Sequence, residues 1–220
     1  MNIRLGIYEI FSRIVPGGLY IAAIAQFASI LGLVTLNLSI INNLSIITST
    51  ALIVIAYILG GAFDIFSLAW FQVFRKPGLS SRLFAEFKKS HDDEWMINFQ
   101  DKDWRSILAY IRTRDIELAG EIDRQNAVSI MLRNVSVGLL LFAVNSLIQF
   151  VLTRNSISIY VCVAMLALSL LIIRESVKFR EWFYRDIFET ILAYRINLEE
   201  AITPVGVSPR QNKSKKQEGQ

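Results

Sequence analysis

Asp64 is the polar side chain most out of place in this chain. It is the one acidic residue inside a predicted apolar segment, residues 46–71. A carboxylate at mid-bilayer costs about 2.5–3.5 kcal/mol on insertion scales, so it normally faces a bundle interior, a partner or a water-filled cavity. One interpretation is an ion or proton pathway, or a gating residue at a subunit contact. The other, which we favour, is that the span ends earlier and that Asp64 lies in the cytoplasmic headgroup zone.

Two amides form a second intramembrane polar site. Asn145 and Gln149 are four residues apart, so they share one face of a helix. Interhelical hydrogen bonds of such side chains stabilise membrane bundles by about 0.6–2 kcal/mol each. The pair could line a pore, but the sequence favours a role in packing helices together.

The acidic run HDDE at residues 91–94 invites a metal-site or phosphohydrolase interpretation. The chain contains a single histidine, however, and no second cluster supplies spaced ligands. A solvated turn is therefore the preferred interpretation. Nucleophilic catalysis is also disfavoured, because a nucleophile needs a nearby base and the sole cysteine, Cys162, lies in an apolar run far from His91. We expect no catalytic, cofactor-binding or metal-binding residue, and no enzyme activity.

An aromatic stripe follows the last apolar segment. Phe179, Trp182 and Phe183 recur at helical spacing beside Arg185. These four residues are the candidate partner-binding surface. The alternative, which we favour, packs the stripe against a helix within residues 104–132 and so closes a bundle.

Composition places these residues in a membrane protein. Of the 220 residues 53% are hydrophobic, yet 23 Lys+Arg and 19 Asp+Glu are strongly segregated along the chain, and the mean hydropathy is +0.43. That combination is typical of a multi-spanning protein with water-exposed parts. The net charge of +4 favours attraction to anionic lipid headgroups and not a nucleic-acid partner.

The predicted fold is all-α, with four transmembrane helices in two hairpins and a cytoplasmic helical module. The spans are expected at residues 14–36, 46–71, 135–152 and 157–173, with a polar turn at 153–156 in the second hairpin. A short interfacial helix over residues 1–13 is expected before Pro16 opens the first span. The predicted segments are 1–74 (interfacial helix and first hairpin), 75–132 (cytoplasmic insert), 133–174 (second hairpin), 175–202 (cytoplasmic extension) and 203–220 (disordered tail).

Two helices are predicted within the cytoplasmic insert. Leu83 and Phe87 indicate a short amphipathic helix. A longer helix is expected to start near Asp103, and because neither Gly nor Pro occurs between Ser106 and Ala119, it is expected to run unbroken into the third span.

The cations predict the topology. Two Lys/Arg precede the first span, eleven lie in residues 75–133 and nine follow the fourth span, whereas the two other loops share only Arg154. Short translocated loops are depleted of Lys and Arg, so both termini and the insert are expected to face the cytoplasm.

Two short stretches carry a resemblance to a class of proteins. The sequences YEIFSRIVPG at residues 8–17 and EIDRQN at residues 121–126, together with the four-span layout, resemble small inner-membrane proteins that bacteria encode in anti-phage defence loci. The resemblance implies a component that disrupts or monitors the membrane when a partner signals infection. It carries over no active-site residues.

Three functions follow as hypotheses. The first is a bacterial inner-membrane effector or sensor, oligomeric, whose cytoplasmic helices couple a protein or ligand signal to the membrane. The second is a scaffold that recruits a soluble cytoplasmic protein. The third is a small channel or transporter for an ion or metabolite, although the inverted repeats and broken helices typical of transporters are not evident in the sequence.

Overall fold

The computed structural model describes residues 3–35, 45–90, 100 and 103–193. Within these ranges the regular secondary structure consists of seven α-helices and no strand, so the predicted all-α class is confirmed. The helices are α1 (Ile3–Ile30), α2 (Ile46–Ala62), α3 (Asp64–Phe74), α4 (Leu79–Ser90), α5 (Trp104–Arg114), α6 (Ile116–Thr153) and α7 (Ser156–Ala193).

The antiparallel hairpin of α6 and α7 is the backbone of the fold. Each helix has 38 residues, which is about 57 Å at 1.5 Å per residue. The chain reverses at Arg154, which adopts a left-handed conformation with φ 54°, and Asn155 then accepts a hydrogen bond from the Ile157 N–H at 3.0 Å. The predicted turn is therefore present, and α7 continues past the apolar segment without a break, as predicted.

Helix α1 corrects the prediction of a separate interfacial helix. The helix is continuous from Ile3 to Ile30 and contains Pro16 in its interior. Pro16 is fully buried, so packing of this part of the helix holds it in place although the proline ring removes one backbone hydrogen bond. The helix ends at Ile30, earlier than predicted. Hydrogen bonds from Gly32 N to Ser29 O and from Leu33 N to Ala28 O form a glycine C-cap just beyond it.

Helices α1 and α2 approach each other through glycines. A Cβ atom added at Gly17 would lie 1.7 Å from the Ala56 carbonyl oxygen, and one added at Gly60 would lie 2.1 Å from the Arg13 carbonyl oxygen. Each glycine thus faces a backbone carbonyl of the other helix. Small residues at such a crossing let two backbones pack directly, which is how apolar helices associate in lipid.

The second predicted span is bent. Helices α2 and α3 meet at Phe63 with an angle of 45°, so the expected single helix over residues 46–71 is wrong. The glycine pair at Gly60 and Gly61 lies immediately before the bend, and glycine pairs are a recognised cause of kinks. By length and composition three helices, α1, α6 and α7, could cross a membrane, and the bent pair is a fourth if it forms one span.

The remaining helices form a compact module around the distal ends of α6 and α7. Its core combines Leu83 and Phe87 of α4 with Ile107 and Ile111 of α5, and with buried side chains of the hairpin: Ala119, Ile122, Phe183, Tyr184, Ile187, Phe188 and Ile191. The two amphipathic helices of the insert are therefore present. The expected unbroken helix is not, because Asp115 is extended (φ −141°, ψ 97°) and caps α6 by accepting from the N–H groups of Glu117 and Leu118.

Candidate functional site

A polar cluster joins α3 to α6 at the bend of the second apolar segment. Nη2 of Arg133 lies 2.5 Å from Oδ1 of Asp64, and Nε of Arg133 donates to the Ser67 hydroxyl at 3.0 Å. The neighbouring Asn134 donates from Nδ2 to the same Asp64 oxygen at 3.4 Å. We call Asp64, Ser67, Arg133 and Asn134 the junction cluster.

The bend creates this cluster. Because α3 starts at Asp64, that carboxylate lies in the first turn of the helix, where the helix dipole favours a negative charge. Ser67 and Phe71 follow one and two turns later on the same face, and the Arg133 guanidinium lies 5.9 Å from the centre of the Phe71 ring. The Arg133 side chain is only 11% exposed and that of Asp64 is 47% exposed, so the cation is held inside the protein while the carboxylate retains contact with the surroundings.

Helix α1 reaches the cluster through Tyr20. The fully buried Tyr20 donates its hydroxyl to the Asn134 carbonyl oxygen at 2.8 Å, and its ring stacks on Phe63 at 4.5 Å between centroids. The side chain of Asn134 is itself buried, and its Oδ1 atom has no hydrogen-bond partner within the described structure. Exchanging the amide atoms would place an oxygen against Asp64, so the present orientation is the favourable one.

An open cavity of about 560 Å³ lies beside the cluster, between α1, α2, α5 and α6. The charged groups that described residues contribute to its lining are two guanidinium groups and two carboxylates, from Arg13, Arg112, Asp64 and Asp123. Arg112 contacts Asp123 at 2.7 Å, and Arg13 donates to the Tyr57 hydroxyl at 3.1 Å. The volume falls in the range of sites for small ligands. We call this space the junction cavity.

Four serines bind α6 to α7 in two pairs, one on either side of the junction cluster along α6. Ser136 and Ser169 exchange hydrogen bonds from each hydroxyl to the other residue's carbonyl oxygen, at 2.9 and 2.8 Å. Ser129 and Ser176 do the same at 2.8 Å in both directions. All four are buried and recur every seven residues on each helix, as in an antiparallel coiled coil. This serine seam connects to α3 because the Trp70 indole N–H donates to the Ser136 hydroxyl at 3.1 Å.

The intramembrane amides occupy different environments. Asn145 is buried and donates from Nδ2 to the Ala23 carbonyl oxygen at 2.7 Å and to the Gln26 side chain at 3.2 Å. It therefore connects α6 to α1. Gln149 is half-buried one turn further along, and its carbonyl oxygen accepts from the Thr153 hydroxyl. The structure thus brings Asn145 into a helix contact and leaves Gln149 outside it.

The aromatic candidates do not form one surface. Phe183 is fully buried in the module core, where its ring meets Trp104 at 5.6 Å, so the proposal that it contacts a partner is wrong for this conformation. Trp182 points the other way with 45% of its surface exposed, and it packs edge-on against Phe179 at 4.9 Å. Arg185 is exposed on a different side, next to α4. Successive residues of a helix differ by about 100° in direction, which separates Trp182 from Phe183.

The sequence did not single out several of these residues. In the sequence Arg133 is the last cation of the insert, and its position directly before an apolar segment is a signal that it needs a partner. The serines carried a usable signal, since their seven-residue spacing occurs in both halves of the hairpin. Asn134 had no sequence signal, because only its burial distinguishes it.

The residues that the structure describes contain no group of three or more His, Cys, Asp or Glu side chains able to hold a metal ion. The HDDE run lies outside the described residues. No family model, no curated protein and no solved structure matches this chain.

Proposed function

We propose that the protein is an effector or sensor of a bacterial inner membrane, in which cytoplasmic helices pass a partner or ligand signal to the membrane-embedded helices. The observation that carries this proposal is the continuity of α6 and α7. Each helix contributes side chains to the module core and then extends without a break to the hairpin turn. A displacement of the module would therefore reach the apolar part of the protein along two continuous helices.

A four-span layout supports the proposal, with α2 as the membrane-crossing part of the bent pair. Four charged residues lie at similar depth. At 1.5 Å per residue, each is about 25–30 Å from the far end of its helix, with Asp64 measured across the bend to the start of α2, and this length is close to the thickness of a hydrocarbon core. They are Arg13, Asp64, Arg133 and Arg174. Because of the cation distribution, we propose that this level is the cytoplasmic surface of the membrane. Asp64 then belongs to the headgroup zone, and not to mid-bilayer.

In this layout the junction cluster is the contact that couples the two parts. Helix α3 is joined to α6 through the ion pair of Asp64 with Arg133 and through Trp70 on the serine seam. Separation of α3 from α6 would expose the buried guanidinium and release the seam. We propose that the resting state keeps this contact closed, and that a signal at the module opens it.

Membrane potential in living cells tests the effector role. Asp64→Asn removes the charge that pairs with Arg133, and we expect its expression in a bacterial host to depolarise the inner membrane, as read by a potential-sensitive dye. The unaltered protein and Glu117→Gln, a control at an exposed position, are expected to leave the potential unchanged. Membrane fractionation and a melting curve establish that each variant is inserted and folded.

A disulfide across the seam supplies the second arm of this test. Ser136→Cys with Ser169→Cys, in a Cys162→Ser background, places two thiols at positions whose hydroxyl oxygens are 3.0 Å apart. If the hairpin must move, oxidation is expected to suppress the depolarisation caused by Asp64→Asn, and reduction is expected to restore it. An inserted, folded Asp64→Asn protein that leaves the potential unchanged would overturn the effector role.

A scaffold for a soluble protein is the second candidate function, and the exposure of Trp182 favours it. A large aromatic side chain at a surface, supported by Phe179, is a common anchor of protein interfaces. The expected result is that a pull-down recovers one stoichiometric cytoplasmic protein and that Trp182→Ala loses it. Self-association and a place in anti-phage defence remain predictions, to be tested by the mass of the protein in nanodiscs and by phage challenge of cells with and without the gene.

A further inference from the structure

The lining of the junction cavity contains a buried hydrogen-bond acceptor that no donor of the described structure satisfies. Oδ1 of Asn134 is buried and unpartnered. Asp64 makes all of its hydrogen bonds through Oδ1, and Asp123 makes its contacts with Arg112 through Oδ2. Buried polar atoms normally find a partner, so the Asn134 oxygen indicates a ligand that supplies an N–H or O–H group. The half-exposed Asp64 carboxylate beside it favours a donor that carries a positive charge.

The charges of the lining restrict the ligand further. Among the described residues, two guanidinium groups and two carboxylates face one space, so this lining carries charges of both signs. A simple anion would meet Asp64 and Asp123, and a simple cation would meet Arg13 and Arg112. A zwitterion with a donor-rich ammonium and an anionic group satisfies both halves.

We infer that the junction cavity binds an aminoalkyl phosphate zwitterion, with its primary ammonium on Asn134 and Asp64 and its phosphate on Arg13 and Arg112. This inference rests on the proposed placement of Asp64 at the cytoplasmic membrane surface. There, such a zwitterion is available as the ethanolamine phosphate headgroup of a lipid, or as the free compound in the cytoplasm. The cavity of about 560 Å³ is open, which leaves a lipid's acyl chains room to extend outside it. Bound there, the ligand would bridge α1, α3, α5 and α6.

The chemistry separates two otherwise similar lipids. A phosphatidylethanolamine ammonium donates three hydrogen bonds, whereas the trimethylammonium of phosphatidylcholine has no N–H and cannot satisfy Asn134 Oδ1. The full chain in nanodiscs that contain both lipids with identical acyl chains should therefore retain phosphatidylethanolamine in preference. We expect a preference of roughly tenfold or more, the usual value of hydrogen bonds to a charged group. Quantification of the lipid that remains after detergent exchange measures it.

Two variants and a control assign the effect to the cavity. Asn134→Leu keeps the side-chain size but removes the acceptor, and Asp64→Asn removes the carboxylate charge that faces the ammonium without changing Asn134. Both should reduce the preference at least several-fold. Gln149→Leu is the control, because it replaces a half-buried amide of the same helix outside the cavity. Because Asp64→Asn keeps the shape of the side chain, it serves as the readout if Asn134→Leu does not fold.

Free phosphoethanolamine identifies the source of the ligand. If it displaces the retained lipid, or raises the melting temperature in phosphatidylcholine nanodiscs, the headgroup alone is recognised and a soluble ligand can occupy the site. If only the lipid binds, the membrane is the source. Equal retention of the two lipids by the unaltered protein, without a shift by phosphoethanolamine, would overturn the inference. The membrane-potential assay is independent of this result, so either proposal can fail while the other stands.

Discussion

We predict that removing Asp64 and removing Arg133 from their ion pair destabilise the protein by different amounts. Only 11% of the Arg133 side chain is exposed, whereas 47% of the Asp64 side chain is. If Asp64 becomes asparagine, an almost buried guanidinium loses its counter-charge. If Arg133 becomes methionine, the carboxylate that is left can turn toward water or headgroups, and it keeps its weaker contacts with Ser67 and Asn134.

The magnitudes follow from the two limits of ion-pair energetics. Removal of one partner of a fully buried pair costs about 3–5 kcal/mol, and an exposed pair contributes about 0–1 kcal/mol. Asp64→Asn leaves the Arg133 guanidinium, which is close to fully buried, without its counter-charge. Because the asparagine oxygen can still accept a hydrogen bond from Arg133, we expect the free energy of unfolding to fall by about 2–3 kcal/mol. Arg133→Met leaves the half-exposed Asp64 carboxylate, and the methionine side chain fills the space of the arginine methylene groups. We therefore expect the free energy of unfolding to fall by about 1 kcal/mol.

Equilibrium unfolding of the purified protein in mixed micelles measures these free energies. The two single variants and Asp64→Asn with Arg133→Met form a double-mutant cycle, in which directly paired residues are expected to couple by about 1–2 kcal/mol. Arg124→Met is a suitable control, since Arg124 pairs with Glu121 on an exposed surface of the same helix and is expected to change stability by less than about 0.5 kcal/mol. The reasoning is refuted if Arg133→Met is the more damaging change, or if the two single effects simply add.

Three further predictions use neighbouring residues as matched pairs. Gly17→Ala should destabilise the protein by about 3 kcal/mol or more, because its Cβ would overlap a carbonyl of α2. Gly18→Ala has open space around its Cβ and should stabilise α1 by up to about 1 kcal/mol. Equal melting temperatures of the two variants in nanodiscs would contradict the described helix crossing. Phe183→Ala should lower the free energy of unfolding by about 3–5 kcal/mol, because Phe183 is fully buried. Trp182→Ala should lower it by less than about 1 kcal/mol, because Trp182 is half-exposed. Limited proteolysis of the module should report the same difference. Ser136→Leu should cost about 2–4 kcal/mol, since it overpacks the seam, leaves the Trp70 N–H without its acceptor and removes the hydrogen bond to the Ser169 carbonyl oxygen. A melting temperature equal to that of the unaltered protein would mean that the helices are not so close.

The junction cluster and the serine seam have a shared consequence for movement. Serine side chains allow α6 and α7 to lie close together, but each contact contains a hydroxyl that can exchange its carbonyl acceptor for another. A seam of this kind is held by hydrogen bonds and small side chains instead of interlocked large ones. It can shift in register at lower cost than the module core, whose aromatic side chains interdigitate. The hairpin therefore combines an end that is tightly packed in the module with a middle section that is held by small polar side chains.

The sequence by itself determined the features that depend on local periodicity and composition. The turn at residues 153–156, the long helix past Arg174 and the helix around Leu83 and Phe87 all follow from apolar spacing and polar interruptions. These patterns are reliable because backbone hydrogen bonding in a helix is local, and the apolar stripe records directly which side is buried. The helix break at Asp115 is the instructive exception. An aspartate that caps the following helix ended α5 where neither glycine nor proline marked an end.

Contacts between residues far apart in the chain were decided only by the tertiary structure. Asp64 and Arg133 are 69 residues apart, and the carboxylate could have been assigned a partner only by knowing that α3 bends back onto α6. The same holds for the burial of Phe183 beside an exposed Trp182, and for the passage of α1 through Pro16. The physical reason is that a polar or aromatic side chain specifies what it needs, a counter-charge or a cavity to fill, while the packing of the helices decides which residue supplies it.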